Sequence, residues 1–83
     1  MKKTKVFKVR GESITPKDMN GVIIELGQKV VCIESYANKL YNGVVVAFTD
    51  CRIKIALEGV SWLRYIMPEN ADKMIYVKPE SNE

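Results

Sequence analysis

The residues that could do chemistry are few, and the commonest of them is missing. The sequence has no histidine, which removes the usual general base at neutral pH, the triads built on it and most zinc sites. Ser13, Ser35, Ser61 and Ser81 have no activating partner evident in the sequence, and no P-loop or dinucleotide fingerprint occurs. Glu69 and Asp72, three apart on an expected helical turn, have the spacing of paired carboxylates, but a solvated cap describes them better. Cys32 and Cys51 lack a CxxC spacing, so they predict neither a zinc site nor a disulfide framework. Cys32 lies in the apolar run VVCI and reads as a small core residue, whereas Cys51 follows Thr49-Asp50 at a turn and should be more exposed. No catalytic residue, metal or cofactor is expected.

What remains is chemistry of recognition, in two groups. Lys3, Lys5, Lys8 and Arg10, with Lys2 beside them, could neutralise phosphates. Equally, they could solubilise an edge strand and discourage sheet-to-sheet pairing. Tyr36, Asn38, Lys39 and Tyr41, in the irregular stretch Glu34 to Asn42, together with Trp62 and Arg64, could anchor a partner. The alternative is that the tyrosines close one end of the domain, with rings buried and hydroxyls wet.

The charge distribution separates these groups. The formal net charge is +3, but residues 1–17 hold six basic side chains against Glu12 alone, and the remainder holds seven basic and nine acidic ones. The body of the domain is therefore slightly acidic, and electrostatic affinity for phosphate is concentrated in the N-terminal arm.

The elements that must position these residues read as strands. At 83 residues one domain is expected, over residues 1–78 with a polar tail at 79–83. KVFKVR is a short basic strand broken by Gly11-Glu12-Ser13, and Asp18-Met19-Asn20-Gly21 is a tight turn into a strand at Val22–Leu26. Val30–Ile33 and Val44–Phe48 are apolar strands, the latter apolar on both faces and so central. Arg52–Leu57 alternates with period two, which places Ile53, Ile55 and Leu57 inward. Trp62–Ile66 is a further strand, Pro68–Asp72 suits one helical or 3₁₀ turn, and Met74–Val77 closes the fold. No apolar run approaches the roughly eighteen residues that span a bilayer, so a cytoplasmic protein with no membrane partner is expected.

The expected architecture is all-β: a small SH3-like barrel of five to six short antiparallel strands, with one helical or 3₁₀ turn before the last. GQKVVCI, LYNGVVVAF and RIKIAL resemble the KOW type of this barrel, in which a Gly opens a strand after a loop and a hairpin follows. The arrangement over residues 18–78 also resembles small, mostly uncharacterised bacteriophage accessory proteins, through a D-x-N-G turn at Asp18–Gly21, a G-x-x-V strand at Gly27–Val30 and an L-x-x-G-x-V strand at Leu40–Val45. Gln28 stands where such turns often carry Asp after the Gly.

Three functions follow as expectations. The first is a non-enzymatic binding module that inhibits or redirects a host protein, in the host cytoplasm if the chain is phage-encoded. The second is a KOW-like nucleic-acid-binding module with the basic arm on phosphates and Tyr36, Tyr41 or Trp62 stacking on bases. The third is an oligomeric sponge for a small anionic nucleotide. The oligomeric state stays open.

Overall fold

A computed structural model describes residues 3–34 and 39–79. The chain begins with a hairpin of β1 (Phe7–Val9) and β2 (Glu12–Ile14), in register Phe7↔Ile14 and Val9↔Glu12. Its two-residue turn, Arg10-Gly11, has φ of 52° and 81°, the positive values that let a tight turn follow the twist of its strands. The sequence predicts only a break at Gly11-Glu12-Ser13. The break is a reversal, and Glu12–Ile14 returns alongside β1.

The remaining strands are β3 (Lys29–Glu34), β4 (Lys39–Phe48), β5 (Ile53–Leu57), β6 (Leu63–Ile66) and β7 (Ile75–Val77). They form one antiparallel sheet in the order β6-β5-β4-β3-β7. The fold is thus all-β, with seven strands in two sheets and a helical turn before the last strand. No ladder joins β6 to β7 among the described residues, so these are the sheet edges. β4 is central, as its apolar run predicts, and carries a bulge between Val45 and Ala47. The stretch expected as a loop is partly strand: Glu34 ends β3, and Lys39–Asn42 begin β4 by continuing the β3–β4 register as far as Glu34↔Lys39. Trp62, expected to open β6, stands in the turn before it.

Val22–Leu26 also departs from expectation. Only Ile23 makes a bridge, to Lys17. The other amides find separate acceptors: Val22 N–H donates to Asp18 Oδ1 (2.8 Å), Ile24 N–H to the Pro16 carbonyl (3.0 Å) and Leu26 N–H to the Lys3 carbonyl (2.8 Å). With no single partner strand the segment crosses the sheet as an irregular strap, held by the buried Ile24.

Alternation decides the core. Val30 and Cys32 of β3, Val45 of β4, Ile53, Ile55 and Leu57 of β5, Ile66 of β6 and Ile75 of β7 all point inward and are buried. Phe7 from the hairpin and Ile24 from the strap cover this inner face, and Phe7 packs edge-on against Phe48 with centroids 5.9 Å apart. Gly43 sits where β4 passes β5 most closely. A Cβ there would lie 2.8 Å from both the Ala56 carbonyl oxygen and Ile55 Cγ2. The 3₁₀ turn Pro68–Asn70 leads into α1 (Ala71–Met74), with Pro at its first position and Pro68 and Ala71 buried.

Asp18 joins the two ends of the domain. It is almost fully buried, and its Oδ1 accepts the amides of Asn20 (2.9 Å) and Val22 (2.8 Å), while Oδ2 accepts that of Val77 in β7 (2.8 Å). Met19 N–H donates to the Ile75 carbonyl alongside (3.1 Å). A residue that the sequence presents as an ordinary turn former is a buried acceptor with three charge-assisted bonds.

Candidate functional site

Two surfaces stand apart from the core. The first is the outer face of the five-stranded sheet. Register and alternation place Val31 and Ile33 of β3, Leu40 and Val44 of β4, Ala56 of β5, Leu63 and Tyr65 of β6 and Tyr76 of β7 on this side. Alternation keeps Val46 outward as well, and the bulge then brings Ala47 to the same side, opposite Lys54. Leu40 is 69% exposed, Val46 44%, Tyr65 43%, Leu63 40% and Val44 36%. Leu63, Ala56 and Val44 form one cross-strand row, and Tyr76, Val31 and Asn42 another. The charged residues among these outward positions are Lys29 and Lys54, with Lys54 Nζ 5.8 Å from the centre of the Tyr65 ring.

The partner-binding residues expected from sequence relate to this face unequally. Lys39 is exposed at the start of β4, on the inward side opposite Glu34. Tyr41 lies opposite Cys32 and packs half-buried against the core. Trp62 is 50% exposed beside the Leu63 end of the sheet. Arg64 points inward to the buried Glu34: its Nε and Nη2 donate to the two carboxylate oxygens, the second at 3.3 Å, and Nη1 donates to the Tyr65 carbonyl (2.9 Å). Arg64 is thereby a structural residue of the sheet edge. Tyr36 and Asn38 lie outside the described residues. Sequence reasoning missed Leu40, Val44, Val46, Leu63 and Tyr65. The signal for them was present in the Val44–Val46 run and in the alternation of β6.

The second surface is an open groove of about 280 Å³ lined by Lys8, Val9, Arg10, Cys51, Arg52, Met67 and Glu69. It lies between the β1–β2 turn and the β4–β5 turn. The latter is set by Thr49, whose hydroxyl accepts the amides of Arg52 (2.9 Å) and Cys51 (3.4 Å). Among the expected phosphate ligands, Lys8 and Arg10 line the groove, joined by Arg52, which was not among them. Lys5 does not join them: its Nζ donates to the Thr49 carbonyl (2.9 Å), lies 4.0 Å from Asp50 and sits 5.2 Å from the centre of the Phe7 ring. Lys3 is exposed on the strand-like entry, where its carbonyl holds Leu26. Lys2 lies outside the described residues.

The thiols differ as their positions predict. Cys32 is buried, and that burial, reinforced by the Glu34 carboxylate and opposed by the Arg64 guanidinium, pushes its thiol up to about 11. Cys51 is exposed at the groove. Among the described residues there is no cluster of three metal-ligating side chains and no helix long and apolar enough to cross a membrane.

Residues 16–78 match the model of a family described as a domain of unknown function, DUF7205, and the chain belongs to that family. No curated protein and no solved structure matches it. The five-stranded sheet and its outer face lie wholly within the matched residues, whereas Lys8 and Arg10 precede them.

Proposed function

We propose that this member of the DUF7205 family is a non-enzymatic protein-binding module that receives its partner on the outer face of the five-stranded sheet. The observation that carries this reading is the set of five large apolar side chains, Leu40, Val44, Val46, Leu63 and Tyr65, exposed on one sheet face. Folded monomers rarely leave a contiguous apolar patch of that kind uncovered. A flat sheet face edged by Tyr and Trp suits a protein surface, with Trp62 and Tyr65 as anchors.

The charges narrow the partner. Lys29 and Lys54 are the charged side chains at these outward positions, so a partner with an apolar strip rimmed by carboxylates is complementary, while a second copy of the same face would oppose lysine to lysine. In a phage-encoded setting, that partner is a host protein whose own surface is blocked or redirected.

The test is stoichiometric capture of a partner from host lysate by the wild-type chain and by Val44→Glu and Leu63→Glu variants, each first shown to fold. The reading expects a partner that is retained by wild type and lost from both variants, with affinity falling about tenfold or more. Capture that survives both substitutions, or no stoichiometric partner, overturns it. A dimer in solution that Val44→Glu dissociates would replace the foreign partner with a second copy.

A further inference from the structure

We propose that the groove between the β1–β2 and β4–β5 turns binds a small phosphate-bearing anion, at a site separate from the apolar sheet face. Three cations, Lys8 of β1, Arg10 of the β1–β2 turn and Arg52 at the β4–β5 turn, line it against a single carboxylate, Glu69. None of the three is in an ion pair among the described residues, and the nearby Asp50 is placed beside Lys5 instead. Glu69 offsets one of the three charges and leaves the groove a positive excess, which is the electrostatic condition for holding a doubly charged anion.

The backbone supplies an independent argument. Arg10 has a φ of 52°, a left-handed conformation that favours Gly or Asn and is unfavourable for other L-residues. A two-residue turn of this type is ordinarily Asn-Gly, and this one is Arg-Gly. The hairpin keeps a less suitable residue at a position that lines the groove. On the opposite side, the Thr49 hydroxyl fixes the backbone amides of Cys51 and Arg52, so the Arg52 side chain has no part in holding its own turn. The two arginines can supply paired hydrogen bonds to the oxygens of one phosphate, with Lys8 adding positive charge at the same end of the hairpin, while Val9 and Met67 offer apolar surface to a small organic group attached to it. The volume, about 280 Å³, suits a phosphate monoester. A polynucleotide would need a longer basic track, and beyond residue 17 acidic side chains outnumber basic ones.

The experiment is a titration of the full chain, followed by amide NMR shifts, with inorganic phosphate, adenosine monophosphate and a single-stranded ten-nucleotide DNA in separate arms. The site expects saturable shifts of the Arg10, Gly11, Cys51 and Arg52 amides with phosphate and the monophosphate, in the low-millimolar range or tighter. Arg10→Asn should weaken monophosphate binding by about tenfold, the loss of one charge-assisted contact. The same substitution should raise the thermal midpoint, because Asn suits the turn better than Arg. Weaker binding with higher stability cannot come from damage to the fold. Arg52→Gln should weaken binding by a similar factor with the midpoint unchanged. No saturable shift up to about 10 mM, which limits any affinity to weaker than millimolar, overturns the proposal, as does Arg10→Asn binding with wild-type affinity. Binding of the DNA without the monophosphate would make the groove a nucleic-acid contact and overturn the small-anion assignment.

Discussion

The carboxylate of Asp18 accepts the amide of Val77 at 2.8 Å across a separation of 59 residues, so a turn near the start of the domain holds its last strand. The other oxygen holds the turn itself through Asn20 and Val22. Removing the carboxylate leaves three backbone donors without an acceptor in a buried position. Asp18→Ala is expected to lower unfolding free energy by about 3 kcal/mol, whereas Asp18→Asn, which keeps one oxygen but opposes an NH₂ to an amide, should lower it by about 1–2 kcal/mol. Urea unfolding of the two variants against wild type measures both values. Equal losses would show that the oxygen retained by Asn contributes nothing.

Glu34 and Arg64 form the other buried polar pair, with Glu34 almost fully buried and Arg64 about a quarter exposed through its side chain. Arg64→Met leaves a buried carboxylate without its guanidinium and should cost about 3 kcal/mol. The double variant Glu34→Leu/Arg64→Met should recover most of that loss, since a well-packed apolar pair can equal a buried ion pair. A double-mutant cycle from denaturant midpoints checks the expectation. A double variant as unstable as the worse single one would show that the pair also fixes the β3 and β6 ends in register.

The two thiols give a pH prediction with a defined sign. The Cys32 thiol is raised from 9.0 to about 11 in the fold, so the unfolded chain loses its proton first as the solution becomes alkaline. The stability that depends on the neutral thiol is complete below pH 9 and is lost as pH rises through 11, about 3 kcal/mol in all. Cys32→Ala should flatten the slope of unfolding free energy against pH across that window, whatever it does to the absolute value. In the native protein at pH 8, a thiol reagent should modify Cys51 and reach Cys32 only after denaturant is added. Modification of Cys32 at the same rate as Cys51 would mean that the sheet opens locally.

How much of this was legible in the sequence depended on whether the signal was local. Ile53, Ile55 and Leu57 announce their inward face through period-two alternation, and Pro68 announces the helical turn. Cys32 and Cys51 separate by their neighbours alone. Val22–Leu26 was misread because a β-branched run predicts extended backbone, and extended backbone joins a ladder only if a strand is free beside it. Here the acceptors were Asp18, Pro16 and Lys3. The burial of Asp18 and Glu34 had no local mark, since their bonds reach Val77 and Arg64 from far along the chain. The sheet face was half-legible: alternation tells which residues share a side, but not whether anything covers it. The groove was half-legible for a different reason. Lys8 and Arg10 were visible as a basic arm, while Arg52 reaches them only through folding.

The position of β7 beside β3 has a kinetic consequence. The last strand of this sheet to be synthesised completes it next to the first of its five strands, and Asp18 has no third donor until Val77 is made. The hairpins β3–β4–β5–β6 can assemble during synthesis, but the second edge of β3 stays unpaired until residues 75–77 arrive. Such non-local closure folds slowly, on a scale of about milliseconds to seconds. A chain interrupted just before Ile75 would present both an unpaired β3 edge and a bare core, and its fate is aggregation or proteolysis instead of partial activity.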